Sequence, residues 1–100
     1  MQVAFAPDGR LVAVWRDSRC CGTGWVAYEI FARAFTFDDL NGALIPGNGA
    51  TITDGPQQPN ANAKSDEYLG MAVGPEGLSV AWNQPRNTVA STTYRRIPLP

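Results

Sequence analysis

The chain has no histidine. That removes the commonest general base and the commonest metal ligand. A Ser-His-Asp triad, a Cys-His dyad and a histidine-based zinc site are therefore excluded within these 100 residues. Cysteine is nearly as scarce, with one adjacent pair, Cys20-Cys21. Two thiols cannot complete a four-ligand structural zinc site. A disulfide between neighbours closes a strained ring, far from ordinary Cα separations. Two loop thiols are the plain reading, and a vicinal or intermolecular disulfide is the alternative. No metal or cofactor is expected. No apolar run approaches the ~20 residues needed to cross a bilayer as a helix. Neither charge dominates: eight basic and nine acidic residues leave a net charge of -1. Without a basic field there are no counterions to release, so neither nucleic acid nor an anionic membrane is an expected partner. No leader sequence is expected either, because strand character begins directly after Met1.

What is present suits a chain that buries a core: 44% of residues are hydrophobic and 17% charged. A domain of this size buries roughly two thirds of the surface its unfolded chain exposes. The organising stretch is residues 3–15, VAFAPDGRLVAVW. An apolar run meets a Pro7-Asp8-Gly9 turn, in which proline presets φ and glycine tolerates a positive φ. A second run, Leu11 to Trp15, is unbroken and reads as a strand covered on both faces. Residues 71–82, MAVGPEGLSVAW, repeat the pattern. Internal repetition at this scale signals an array of sheets rather than one unique core.

The remaining strands follow from alternation. Residues 25–37 place Tyr28, Ile30, Ala32, Ala34 and Thr36 on one side, with Glu29, Phe31, Arg33, Phe35 and Phe37 on the other; a helix is the alternative, but the aromatic and β-branched content and the lack of a clean i, i+4 stripe favour a strand. Residues 38–48 are rich in turn formers, and residues 50–53 form a short edge strand. The first unit thus has four strands over residues 1–54. Residues 55–66, with Gly55, Pro56 and Pro59, form a connecting loop. The second unit, residues 67–100, has three strands: 67–73, 78–82 and 88–97. Polar loops follow Trp15 and Trp82, at residues 16–24 and 83–87. Aligning the copies sets Pro7 against Pro75, Trp15 against Trp82, and Phe31-Ala32-Arg33 against Tyr94-Arg95-Arg96. The expected fold is all-β, with two antiparallel blade-like sheets of about four and three strands. A β-sandwich is the alternative.

Residues 3–19, followed after a loop by Glu29-Ile30-Phe31-Ala32-Arg33, resemble one blade of a sialidase-like β-propeller. Residues 68–97 resemble a second blade more loosely. In that superfamily a Ser-x-Asp-x-Gly-x-Thr-Trp box follows the third strand. Here Thr36-Phe37-Asp38-Asp39-Leu40-Asn41-Gly42 keeps an Asp and a Gly but no Thr-Trp. Arg96-Ile97-Pro98 is similar to the family's (Phe/Tyr)-Arg-Ile-Pro motif, with Arg95 in the aromatic place. The resemblance implies a site of three arginines on a carboxylate, a Tyr-Glu pair and an Asp acid/base, drawn from several blades. Asp17, Glu29, Arg19, Arg33, Tyr94 and Arg96 are of suitable types, but their spacing pairs none of them. Catalysis by two units alone is not expected.

The expectation is a non-catalytic carbohydrate-binding or recognition module. Its candidate site lies at the strand-end tryptophan of each unit and the loop beyond it: Trp15, Arg16, Asp17 and Arg19 in one unit, Trp82, Asn83 and Arg86 in the other. A sugar ring would stack on the indole while Arg and Asp bond its hydroxyls. The plain alternative is core packing for the tryptophans and a solvated loop for the charges. Blades are apolar on both faces, and exposed apolar patches beyond roughly 400 Å² mark interfaces. Partners are therefore expected to be further copies of the chain or further blades; three two-blade chains would close a six-bladed ring. A glycan ligand is expected, and the resemblance favours an extracellular setting. The alternatives are a structural subunit of a virion or surface layer, and a fragment of a sialidase-like glycoside hydrolase.

Overall fold

A computed structural model of the chain describes residues 1–17, 19, 28–55, 69–86 and 89–100, with the backbone alone for residues 83–86 and 89–92. Seven strands run in chain order: β1 Gln2–Phe5, β2 Leu11–Asp17, β3 Glu29–Asp38, β4 Ala43–Thr51, β5 Leu69–Gly74, β6 Gly77–Arg86 and β7 Val89–Ile97. They form a four-stranded sheet β1-β2-β3-β4 and a three-stranded sheet β5-β6-β7, antiparallel throughout. The protein is all-β, with two sheets of four and three strands. None of the described residues forms a helix long and apolar enough to cross a membrane.

Both hairpin turns follow from their Pro-x-Gly cores. In the first, the Gly9 amide donates to the Ala6 carbonyl at 2.9 Å and the Ala6 amide to the Arg10 carbonyl at 2.8 Å. The second is one residue tighter, with Gly74 paired directly to Gly77. Gly77 has a φ of +133°, and a Cβ there would collide with the Ile97 carbonyl on β7. The extra residue in the first turn, Arg10, bonds Asp8 through Nε at 2.9 Å. Its Nη1 donates to the Pro100 carbonyl at 2.8 Å, tying the turn to the far end of the chain.

The strands run longer than the turn-forming residues suggest. Residues 16–17 and 83–86, expected in loops, continue β2 and β6. Cross-strand pairing explains this: Asp17 lies opposite Glu29, and Arg86 opposite Val89, so the ladder carries the polar residues past the tryptophans. Likewise the expected short strand at 50–53 is a nine-residue edge strand, β4, that includes Pro46, Gly47 and Gly49. Proline is tolerated there because one side of an edge strand needs no ladder donor. A bulge opposite Arg33 and Phe35 absorbs the irregularity.

The two faces of each sheet differ, one the large face and the other the small face, although the small face of the first sheet also carries the buried Val12, Val14 and Ile30. In the first sheet, Val3, Phe5, Leu11, Trp15, Phe31 and Phe35 share a face, and Ala4, Val12, Val14, Ile30, Ala32 and Ala34 share the other. In the second, Leu69, Met71, Val73, Leu78, Val80 and Trp82 share the large face. The core joins the small face of the first sheet to the large face of the second. Alternation on β3 falls as expected, with Tyr28, Ile30, Ala32 and Ala34 all buried. Coverage of β2 on both faces is incomplete. Val12 and Val14 are wholly buried, while Leu11 and Trp15 on the large face are half-buried, and among the described residues no third sheet lies over them. The first strands of the two sheets, β1 and β5, lie close together. On the far side, Arg95 of β7 donates to the Ile52 carbonyl at 2.7 Å and pairs with the Asp54 carboxylate.

The shared register refines the alignment of the two copies. Leu11 pairs with Phe35 and Leu78 with Ile97; Trp15 pairs with Phe31 and Trp82 with Thr93. Phe31 therefore answers to Thr93 rather than Tyr94, and Arg33 answers to Arg95 rather than Arg96.

Candidate functional site

The end of β2 gathers three of the four candidate residues of the first unit. Trp15 and Asp17 are two apart on one strand and so share a face. The Trp15 indole Nε1 donates to Asp17 Oδ2 at 3.0 Å. Arg19 closes over the same carboxylate: its Nε lies 2.9 Å from both oxygens, its Nη2 2.7 Å from Oδ2, and its own amide donates to Oδ1 at 2.9 Å. The Arg19 guanidinium, the Trp15 indole and the Arg19 amide hold the Asp17 carboxyl far below the usual carboxylate range. Asp17 is thus a fixed anion with nearly every lone pair engaged.

The aromatic part of the cluster includes a residue outside the candidate set. Phe31, directly opposite Trp15, stacks on it with ring centroids 6.3 Å apart and planes at 23°. The Arg19 guanidinium carbon lies 5.1 Å from the Phe31 ring centre on its face, a cation–π contact. The Arg19 side chain remains 64% exposed, against 11% for Asp17. The result is an exposed guanidinium, braced from below by a carboxylate, beside an aromatic pair. Phe31 was visible in the sequence as an outward position of β3; what was missing was the register that sets it opposite Trp15.

The other candidates are placed elsewhere. Arg16 points to the opposite face, where its guanidinium carbon sits 5.4 Å from the Tyr28 ring centre. Trp82 is no rim platform: it is 4% exposed between the two sheets, and its Nε1 has no hydrogen-bond partner among the described residues. Asn83 and Arg86 belong to the β6 ladder, opposite Thr92 and Val89, and their side chains lie outside the described residues. Cys20, Cys21 and most of the expected 16–24 loop, along with most of the 55–66 connection, also lie outside them.

Chemically, this cluster can orient a neutral polar ligand or an anion through Arg19 and offer it an aromatic surface. A glycosidase needs a carboxyl that stays protonated near neutral pH to serve as acid. Asp17 is driven the other way. Among the described residues no group of three or more Cys, Asp or Glu is placed to hold a metal ion. No protein-family model, curated protein or solved structure matches the chain.

Proposed function

We propose that the chain is a non-catalytic recognition module for carbohydrate, built from two blades of propeller type. The observation that carries this reading is the Trp15–Asp17–Arg19–Phe31 cluster. It pairs an exposed, geometrically fixed donor with aromatic surface, the combination that binds a sugar hydroxyl or carboxylate while its apolar face stacks. The blade reading draws support from the up-and-down strand order, from the closeness of β1 and β5, and from the repeated register. The Asp38 turn adds support, since it stands after the third strand with its carboxylate accepting from the Leu40 amide at 3.0 Å and the Asn41 side chain at 2.7 Å. Titration against a panel of neutral and acidic sugars tests the reading. Binding weakened tenfold or more by Arg19→Ala supports it, and no binding to any glycan overturns it.

A second reading, a structural subunit of a larger assembly, is favoured by one observation. Trp82, the counterpart of Trp15, is packed beneath a neighbouring sheet. A very large assembly with no ligand would select this reading over recognition. Turnover of a fluorogenic sialoside by the chain would contradict both.

A further inference from the structure

The contact between the two sheets is a template for a contact the chain leaves open. Inside the molecule, the large face of the second sheet packs on the small face of the first. What remains uncovered is the large face of the first sheet, with Val3, Phe5, Leu11, Trp15 and Phe35, and the small face of the second, with Gly70, Ala72, Ser79, Ala81 and Tyr94. The uncovered large face holds an apolar groove of about 290 Å³ lined by Val3, Leu11, Ala13, Trp15, Phe35 and Leu44. Val3 is 55% and Phe5 65% exposed. The uncovered small face holds a hollow of about 200 Å³ along Gly70, Ala72, Ser79, Ala81 and Tyr94.

Two register pairs set the covered face against the uncovered one. Trp82 lies beneath the first sheet, while Trp15 stands half-buried in the open groove. Arg95 reaches across the internal contact to the Ile52 carbonyl and the Asp54 carboxylate. Its counterpart Arg33 lies half-buried on the uncovered large face, and its Nε has no hydrogen-bond partner among the described residues. Gly49, opposite Arg33 on β4, leaves room for that guanidinium: a Cβ there would stand 3.4 Å from Nε and Nη2.

We propose that a second copy of the chain covers this face, seating the Gly70–Ala72–Ser79–Ala81 side of its second sheet on the Trp15–Phe35 groove. The inference rests on the blade reading and is independent of what the module binds. The contact is heterologous, since each copy offers two different surfaces, so it propagates from copy to copy and closes as a ring or runs on as a fibre. Propellers of four to eight blades correspond to two to four such chains. Tyr94 and the Arg96–Glu76 ion pair, at 3.1 Å, stand on the small face. They make this contact more polar than the internal one.

Two exposed positions test it without disturbing the core. Phe5→Glu blocks the large face and Ala72→Glu the small one; circular dichroism confirms that each variant keeps the fold. Light scattering is expected to give at least twice the chain mass for the wild type and a monomer for each variant alone. An equimolar mixture should give a two-chain complex, because each variant retains the surface its partner needs. A monomeric wild type overturns the proposal, as does either variant retaining the wild-type mass, since that would mean like faces pair. A wild-type oligomer that binds no glycan leaves this inference standing and overturns only the recognition reading.

Discussion

The Trp15 indole and the Asp17 carboxylate are hydrogen-bonded at 3.0 Å on one face of β2, and Arg19 closes the same carboxylate from the solvent side. Because folding lowers the Asp17 pKa, its stabilisation is present above the unfolded value of 3.8 and is lost as pH falls below it. Asp17→Asn is expected to cost about 1 kcal/mol at pH 7. The gap between variant and wild type should narrow steadily as pH falls from 5 towards 2. Urea unfolding at a series of pH values checks this, and a gap independent of pH would contradict it.

Trp15 and Trp82 should separate sharply in stability. Trp82→Ala empties a fully packed site between the sheets and is expected to cost about 3–5 kcal/mol. Trp15→Ala removes a half-buried ring and should cost about 1–2 kcal/mol. Trp82→Phe is the sharper probe: the buried Nε1 has no partner among the described residues to lose, so its cost should stay below about 1.5 kcal/mol. Thermal unfolding of the three variants gives the order.

Gly77→Ala is expected to be among the most damaging single-methyl changes in the chain. The residue sits at φ +133°, and its added Cβ would meet the Ile97 carbonyl. Strain of this kind costs about 1–3 kcal/mol, or roughly 4–20 °C in Tm for a domain of this size. A melting temperature within 2 °C of wild type would contradict the turn geometry.

The contact between the sheets has a polar clasp whose two halves should weigh differently. The Asp54 side chain is 91% exposed, so Asp54→Asn should cost under about 0.5 kcal/mol. Arg95→Ala also leaves the Ile52 carbonyl without its donor and should cost about 1–2 kcal/mol. Equal costs would mean that the carbonyl bond contributes nothing.

Much of this architecture is written in local pattern. The Pro-Asp-Gly and Pro-Glu-Gly turns and the alternation of Tyr28, Ile30, Ala32 and Ala34 specify the hairpins and the inward faces, and the four-plus-three strand count follows. Strand ends are less legible, because Asp17 and Arg86 are held in strands by their partners across the ladder rather than by their own preferences. The candidate site was legible in part. Trp15, Asp17 and Arg19 are close in sequence and are brought together, but strand alternation sends Arg16 to the other face. Trp82 has the same local sequence setting as Trp15, yet it is core. What decides between them is whether another sheet lies above, and that is a tertiary fact. The correspondence of Arg33 with Arg95 likewise depends on register, which a simple alignment misses by one residue.

The central claim is that these two sheets are repeating units whose free faces complete one another. Molar mass in solution, measured by light scattering on the wild-type chain across a concentration series, tests it most directly. The account predicts an assembly of at least two chains that dissociates on introducing Phe5→Glu. A wild-type chain that remains a monomer at every concentration would contradict it.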